Sequence, residues 1–312
     1  MRTQDKLPLI VIVGPTAVGK TSVSIELAEH LDGEIVSADS RLLYRGMDIG
    51  TAKPTTEEKR DVPHHLIDMA EPDETWSLAV YQRNAYRVID EVHARGKLPI
   101  LVGGTGQYVR AIIEGWQIPP QAPDYGLREA LNHWAEEIGA EAFHRRLETL
   151  DGEAAKKIDY RNVRRVVRAM EVILRTGERF SELRRKQECP YQPIILGISR
   201  PREELYQRID QRIEQMLEAG LVEEVSDLLE GGYAPDLPTM SAIGYGEIIQ
   251  FLKGEISYDE AVTLIKRNTR IFVRHQANWF KPDDPRIHWF DVDDEMLSRM
   301  ELTVRSVLNE LS

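Results

Sequence analysis

Cysteine is nearly absent: Cys189 stands alone among 312 residues. That excludes a disulfide framework and a cysteine-rich zinc site, and it suits a reducing compartment. Cys189 itself reads as a passive thiol. No apolar run is long enough to span a bilayer, and no basic-then-apolar leader suggests a signal peptide. The expectation is a cytoplasmic, monomeric protein without membrane contact. Positive charge is in deficit, with a formal net charge of −12. Taken alone, this argues against a nucleic-acid partner, because phosphate backbones recruit cations. The distribution of charge matters more than its average, however. Internal repeats and low-complexity tracts are absent, and the length allows one large domain or two.

What is present begins with Gly14-Pro-Thr-Ala-Val-Gly-Lys-Thr21, a phosphate-binding loop pattern. Leu9–Val13 before it is apolar and β-branched, as in a buried strand, and Ser22–Leu31 after it has helical apolar spacing. Gly14 and Gly19 let the main chain curl so that successive N–H groups face an anion. The helix N-terminus adds partial positive charge. Lys20 is expected to reach phosphate oxygens, and Thr21 to hold a Mg²⁺ bound to them.

A second short strand, Glu34–Asp39, ends in a carboxylate, and ligands of open parallel sheets gather at the carboxyl ends of strands. Asp39 is therefore expected near the glycine loop. Ser40–Pro54, rich in glycine and basic residues, reads as a functional loop with a short helix, or as a solvated connection. Val62–Asp68 reads as a third strand, with the adjacent His64 and His65 in packing or polar contacts rather than on a metal. A helix is predicted over Trp76–Arg95 and a buried strand over Lys97–Val102. The glycine turn Gly103–Tyr108 can then bring Thr105 or Gln107 against a ligand.

Prolines around 118–123 interrupt this alternation. From Asp124 to about Glu188 the pattern is helical: Tyr125–Ile138, Ala140–Leu150, Gly152–Ile158, Asn162–Arg175 and a short Ser181–Gln187 segment. Tyr191–Ser199 resumes as a strand. The expected organisation is a core of residues 1–117 and 190–312, with a helical insertion at 118–189. Arg161, Arg164, Arg165 and Arg168 recur at helical spacing and can form a basic stripe, with Val163, Val166, Val167 and Met170 facing the core. Glu203–Glu230 reads as one long amphipathic region carrying Arg208 and Arg212. Arg208 can reach a phosphate from the far side of the loop, or the two arginines can pair at the surface with Glu204 and Glu214. Thr239–Gly246 reads as a loop. Tyr258–Phe280 reads as a long helix with a second basic stripe of Lys266, Arg270 and Arg274. Ile287–Asp291 and Glu295–Leu311 read as a last strand and a closing helix.

These residues meet a known family. The glycine loop, Ser37–Pro54, Gly103-Gly-Thr105 with Tyr108, Tyr206–Arg212, Ile243-Gly-Tyr245, Gly254–Tyr258, and Thr269-Arg270 with Arg274, Gln276 and Trp279 together resemble tRNA dimethylallyltransferase. The resemblance spans nearly the whole chain, and Asp39–Pro54 is far more specific than the glycine loop. It implies an α/β fold: a P-loop NTPase-like core with an open parallel sheet flanked by helices, plus an all-helical, tRNA-binding insertion. It also implies a reaction, in which dimethylallyl diphosphate donates its five-carbon group to N6 of adenosine 37 in the tRNA anticodon stem-loop. Diphosphate leaves. By the same resemblance Gly14, Pro15, Thr16, Ala17, Val18, Gly19, Lys20, Thr21 and Arg208 bind the diphosphate, with Mg²⁺ as cofactor on Thr21. Asp39 is the general base, and Lys20, Thr105 and Arg208 share the catalytic work. Asp39, Ser40, Arg41, Leu42, Thr105, Arg164, Arg165, Val166, Val167, Arg168, Arg270 and Arg274 are carried over as tRNA contacts. A zinc-finger tail is lacking, as in bacterial members. The competing readings are a small-molecule kinase and a regulatory nucleotide-binding module; no short arginine lid of the kinase kind stands out.

Overall fold

The computed structural model describes residues 6–118, 124–183 and 188–311. Two compact units divide the chain: Met1–Trp76, Val80–Ile113 and Pro190–Ser312 form one, and Ser77–Ala79 with Glu114–Cys189 the other.

The larger unit opens with β1 (Pro8–Val13), α1 (Lys20–Leu31) and β2 (Gly33–Ser37). A four-residue α2 (Thr56–Lys59), a two-residue β3 (His64–His65), α3 (Leu78–Ala94), β4 (Leu98–Val102) and α4 (Gly106–Ile113) follow. All six strands pair in parallel, in the order β3-β2-β4-β1-β5-β6, where β5 is Gln192–Ser199 and β6 is Ile287–Asp291. β1 lies in the middle, with Ile10 opposite Ile100 on one side and Ile194 on the other. Every residue from Leu9 to Val13 is fully buried. Apolar side chains pointing both ways are what a parallel sheet covered on both faces requires. α1 packs against β1, β2 and β4 and against the C-terminal α14 (Met296–Leu311), which also covers β5 and β6. β1 crosses to β2 past β4, so the carboxyl ends of β1, β2 and β4 lie side by side.

The smaller unit is helical: α5 (Tyr125–Ile138), α6 (Ala140–Leu150), α7 (Gly152–Lys157), α8 (Val163–Thr176) and α9 (Phe180–Leu183). Asp124, Asp151 and Asn162 cap α5, α7 and α8 through side-chain oxygens that accept from backbone N–H groups. Leu131, Phe143, Leu147, Val166, Val167 and Met170 share its core, with Trp134 edge-on to Phe143 at 5.4 Å.

The structure sharpens or corrects several local expectations. The third strand keeps only His64 and His65, because Leu66 (φ 60°) and Asp68 (φ 56°) turn left-handed and end the extended run. The amphipathic region after β5 is two helices, α10 (Arg202–Glu218) and α11 (Leu221–Glu230), parted at Gly220 with φ 101°. The loop expected over Thr239–Gly246 holds as far as Gly244, which opens a helix, α12 (Tyr245–Leu252). The long helix, α13 (Tyr258–Gln276), stops four residues short of Phe280. Of the short helix over Ser181–Gln187, residues 184–187 lie outside the described residues.

Candidate active site

The glycine loop leaves β1 at a crowded place. Gly14 has φ 151°, and a β-carbon there would stand 2.7 Å from the Ile198 carbonyl oxygen, so no larger residue fits. Gly19 (φ 110°) heads α1 without a side-chain cap. The first N–H groups of α1 thus have no side-chain acceptor at the cap, the usual state of an anion-binding helix end. Lys20 folds over its own loop and donates to the Gly14 carbonyl at 3.0 Å and the Pro15 carbonyl at 2.9 Å. Burial lowers its pKa from 10.5 to about 8; the Asp39 carboxylate pulls it upward and Arg212 pushes it down. Thr21 is exposed at the head of the helix.

Asp39 sits two residues beyond β2, on a turn tied to the end of β4. Ala38 donates to the Val102 carbonyl at 2.7 Å, and Thr105 donates back to the Ala38 carbonyl at 3.2 Å. The two segments run so close that a β-carbon on Gly103 would meet the Ala38 oxygen at 2.1 Å. Thr105 Oγ1 accepts from the Ser40 N–H at 3.0 Å, and Asp39 Oδ1 accepts from the Arg41 N–H at 2.9 Å. Tyr81 and Tyr108 stack at 3.8 Å. Burial, followed by lesser charge effects that include Asp39, holds both phenols above their ordinary pKa. The carboxylate therefore shares its surroundings with Lys20, Arg212 and two buried phenols.

α10 supplies the other side. Arg208 Nε donates to the Ala17 carbonyl at 2.9 Å, so this arginine lies on the glycine loop and not on Glu204. Glu204 pairs instead with Arg200, and Glu214 with Lys266. Arg212 was legible only as a surface cation. Its pKa is lowered by burial, pulled back up by Asp39 and Glu58 and pushed down again by Arg208. Gln276 is a second residue whose setting in the site the sequence did not disclose. Its Oε1 accepts from the Thr16 N–H at 2.8 Å, and its Nε2 donates to the Gly104 carbonyl at 3.0 Å. That Thr16 amide is occupied, so any diphosphate contact by Thr16 falls to its hydroxyl.

The segment after Asp39 is held mainly by itself and its neighbours. Lys53 is buried and donates to the Tyr44 carbonyl at 2.8 Å and to Asp68 at 2.5 Å, with Asp48 also on its ammonium. Glu224 of α11 accepts from the N–H groups of Asp48, Ile49 and Gly50 at 2.9, 2.7 and 3.1 Å and from the Tyr245 hydroxyl at 2.5 Å. Ser40, Arg41 and Leu42 are only partly buried at its near end.

The basic stripes are weaker than their spacing suggests. Arg270 pairs with Asp210 at 2.5 Å, and Lys266 with Glu214 at 2.8 Å. Both line a cleft of about 370 Å³ with Tyr206, Arg267 and Arg274. In the helical unit, Arg164 and Arg165 are exposed, but Arg161 precedes α8 and is bound to Asp159 at 2.6 Å. Arg168 pairs at 2.6 Å with Glu171, which is fully buried and also holds Arg128 at 2.8 Å. Burial would raise the Glu171 pKa, yet the Asp124 N–H and the two arginines keep it low. The expected tRNA contacts Val166 and Val167 need correction. Their side chains are 0% and 3% exposed in the unit's core, where an amphipathic helix buries its apolar stripe.

Among the described residues, no helix is long and apolar enough to cross a membrane. A glycine loop capping the central strand of a parallel sheet, with Lys20 folded onto its carbonyls, makes this a phosphate-loop α/β protein. Comparison with known proteins narrows that class. A tRNA dimethylallyltransferase of Thermomicrobium roseum is 49% identical over 308 residues, covering 97% of this chain and 93% of that protein. One from Roseiflexus sp. (strain RS-1) is 52% identical over 275 residues, 88% of this chain and 90% of its own. The solved full-length tRNA isopentenylpyrophosphate transferase of Bacillus halodurans is 41% identical, covers 98% of each chain and superposes with a TM-score of 0.74. A eukaryotic dimethylallyltransferase acting on tRNA is 26% identical over 97% of this chain and 77% of its own, with a TM-score of 0.80. Residues 42–283 match the family described as IPP transferase. The chain belongs to that family and is a transferase.

Proposed function

We propose that this enzyme moves the dimethylallyl group of dimethylallyl diphosphate onto N6 of adenosine 37 in tRNAs that read codons beginning with U. One observation carries the reading. Gln276 bonds Thr16 of the glycine loop and Gly104 at once, and a β-carbon on Gly104 would stand 3.8 Å from Asp39 Oδ2, which supports a base for the acceptor and a loop for the leaving group at one sheet end.

Breaking the allylic C–O bond leaves negative charge on the diphosphate. The loop amides, Lys20 and Arg208 stabilise that charge as it grows, and one well-placed donor of this kind contributes about 3 kcal/mol. Lys20 would leave the Gly14 and Pro15 carbonyls for the diphosphate, which also restores the proton that burial weakens. The hard oxygens of the Thr21 hydroxyl and the diphosphate suit Mg²⁺, an ion that keeps much of its water and needs few protein ligands. Thr21 would hold it, and the ion would add to charge neutralisation on the leaving group.

The acceptor amine is a poor nucleophile, since its lone pair is delocalised into the purine ring. Asp39 Oδ1 is committed to the Arg41 N–H, which leaves Oδ2 to orient the amine and take its proton as the C–N bond forms. Thr105, through Ser40, fixes the turn that carries the base. The target base leaves its stack to reach this site. Arg164, Arg165 and Arg274, which are exposed, supply phosphate contacts of the kind a folded RNA requires. The enzyme works as a cytoplasmic monomer.

The test is direct. The protein is incubated with unmodified tRNA, Mg²⁺ and labelled dimethylallyl diphosphate, and the RNA is digested to nucleosides. Label in N6-modified adenosine from position 37 is the expected result. Unlabelled RNA, with phosphate transfer from ATP to a small molecule instead, would overturn the reading in favour of a kinase.

A further inference from the structure

Gln276 ends α13, is 7% exposed, and belongs to neither the glycine loop nor the base-bearing turn. Its carboxamide nevertheless joins them, accepting from Thr16 on one side and donating to Gly104 on the other. Only one orientation of an amide can satisfy an N–H donor and a carbonyl acceptor at once, so the bridge has a direction as well as a length. The space is shaped for it. A β-carbon on Gly104 would stand 2.6 Å from Gln276 Nε2 and 3.8 Å from Asp39 Oδ2, so the carboxamide and the base face one another across a missing methyl group.

The backbone around Gln276 is planted firmly. Arg110 donates from Nε to the Trp279 carbonyl at 3.0 Å. A β-carbon on Gly106 would stand 2.2 Å from the Trp279 ring, so the indole lies flush against the start of α4. Further back, α13 holds α10 through Arg270–Asp210, and α10 lays Arg208 on the Ala17 carbonyl. The glycine loop is thus gripped from two sides by groups that α13 controls.

We propose that Gln276 is a positioning residue that fixes the separation between the diphosphate loop and the acceptor turn. The inference rests on the reaction proposed above. When the C–O bond breaks, the electron pair leaves with diphosphate and the allylic carbon becomes electron-poor. It is captured either by the N6 lone pair, with the proton passing to Asp39, or by water, with the proton passing to solvent and dimethylallyl alcohol as product. Correct register between the two loops favours the amine; lost register admits water.

The experiment measures both products from labelled donor with the full chain and unmodified tRNA. Gln276→Ala removes the bridge, and Gly104→Ala evicts the carboxamide from the opposite side. Each is expected to raise the alcohol-to-RNA ratio on the order of ten-fold, the scale on which slight misplacement of reacting groups acts. kcat should fall more than the donor KM rises. Gln276→Glu keeps the acceptor for Thr16 but not the donor for Gly104; it should raise the ratio and also the donor KM, through its charge. Ile287→Val loosens the amino end of the edge strand β6 without touching α13 or the bridge, and its ratio should match that of the parent protein. An unchanged ratio in Gln276→Ala and Gly104→Ala, or an equal rise in Ile287→Val, would overturn the role of Gln276 alone. A parent protein that labels no RNA would overturn the reaction itself and the positioning role with it.

Discussion

Replacing Lys20 by methionine should make the protein more stable and weaken, without abolishing, its grip on the diphosphate of the donor. In the folded chain the ammonium is charged up to a pKa of about 8, against 10.5 for an ordinary lysine. Between those values the unfolded chain binds the extra proton, so this group's contribution to stability rises as pH rises from 8 to 10.5. Below pH 8 its full cost is present, up to about 3 kcal/mol. Methionine removes that cost and leaves the Gly14 and Pro15 carbonyls without their donor, a loss of about 1 kcal/mol for each. The net gain at pH 7 is then about 1 kcal/mol, seen as a melting temperature raised by a degree or two. The gain should shrink toward pH 10, where the native lysine is already neutral. Binding tells the same story from the other side. A diphosphate raises the lysine pKa, so at pH 9 binding should take up about nine-tenths of a proton at this group, and at pH 7 about one-tenth. Calorimetry with inorganic diphosphate in buffers of different ionisation enthalpy measures that number. The difference between the parent protein and Lys20→Met isolates the lysine, since the ligand's own ionisation is common to both. If the two proteins take up protons alike at pH 9, or if Lys20→Met melts lower at pH 7, the buried-ammonium argument fails.

Three further outcomes are expected. Asp39→Ala should abolish turnover while tRNA affinity stays within a few-fold by filter binding, because the carboxylate acts mainly in the transition state; equal loss of both would make it a docking residue. Arg165→Ala should weaken RNA binding and reduce the slope of log K against log salt by about one, whereas Arg168→Ala, already paired with Glu171, should change the slope less. Glu171→Ala should destabilise the helical unit by about 3–5 kcal/mol, since it strands the cations gathered on a buried carboxylate. Hydrogen exchange would show that loss in α5 and α8, with the amides of β1 and β4 unaffected.

Much of this molecule was legible from short stretches. The strand, glycine loop and helix at 8–31 follow from β-branched residues, two glycines and helical spacing. α5 and α6 begin and end where their periodicity and their capping residues Asp124 and Gly139 place them. Such signals act over one or two turns of chain, so a local reading suffices. The third strand misled because its apolar alternation is real while Leu66 and Asp68 turn left-handed inside it. Val166 and Val167 misled differently: a family pattern named a run of residues, and only the helical face decides which of them meet solvent. The specificity of Ser40–Pro54 reads at first as chemistry, yet Lys53 and Glu224 show that much of it is self-support.

Sequence alone determined that the glycine-loop pattern stands between a strand and a helix, and which family the chain resembles. Tertiary structure decided which polar groups actually meet. Gln276 reaches Thr16 across 260 residues, Arg208 reaches Ala17 across 191, and Glu171 quenches an arginine that spacing had left exposed. A hydrogen bond or ion pair depends on a few ångströms of separation. The chain sets that separation only after its sheet and helices have packed, so it cannot be read from one residue's neighbours along the sequence.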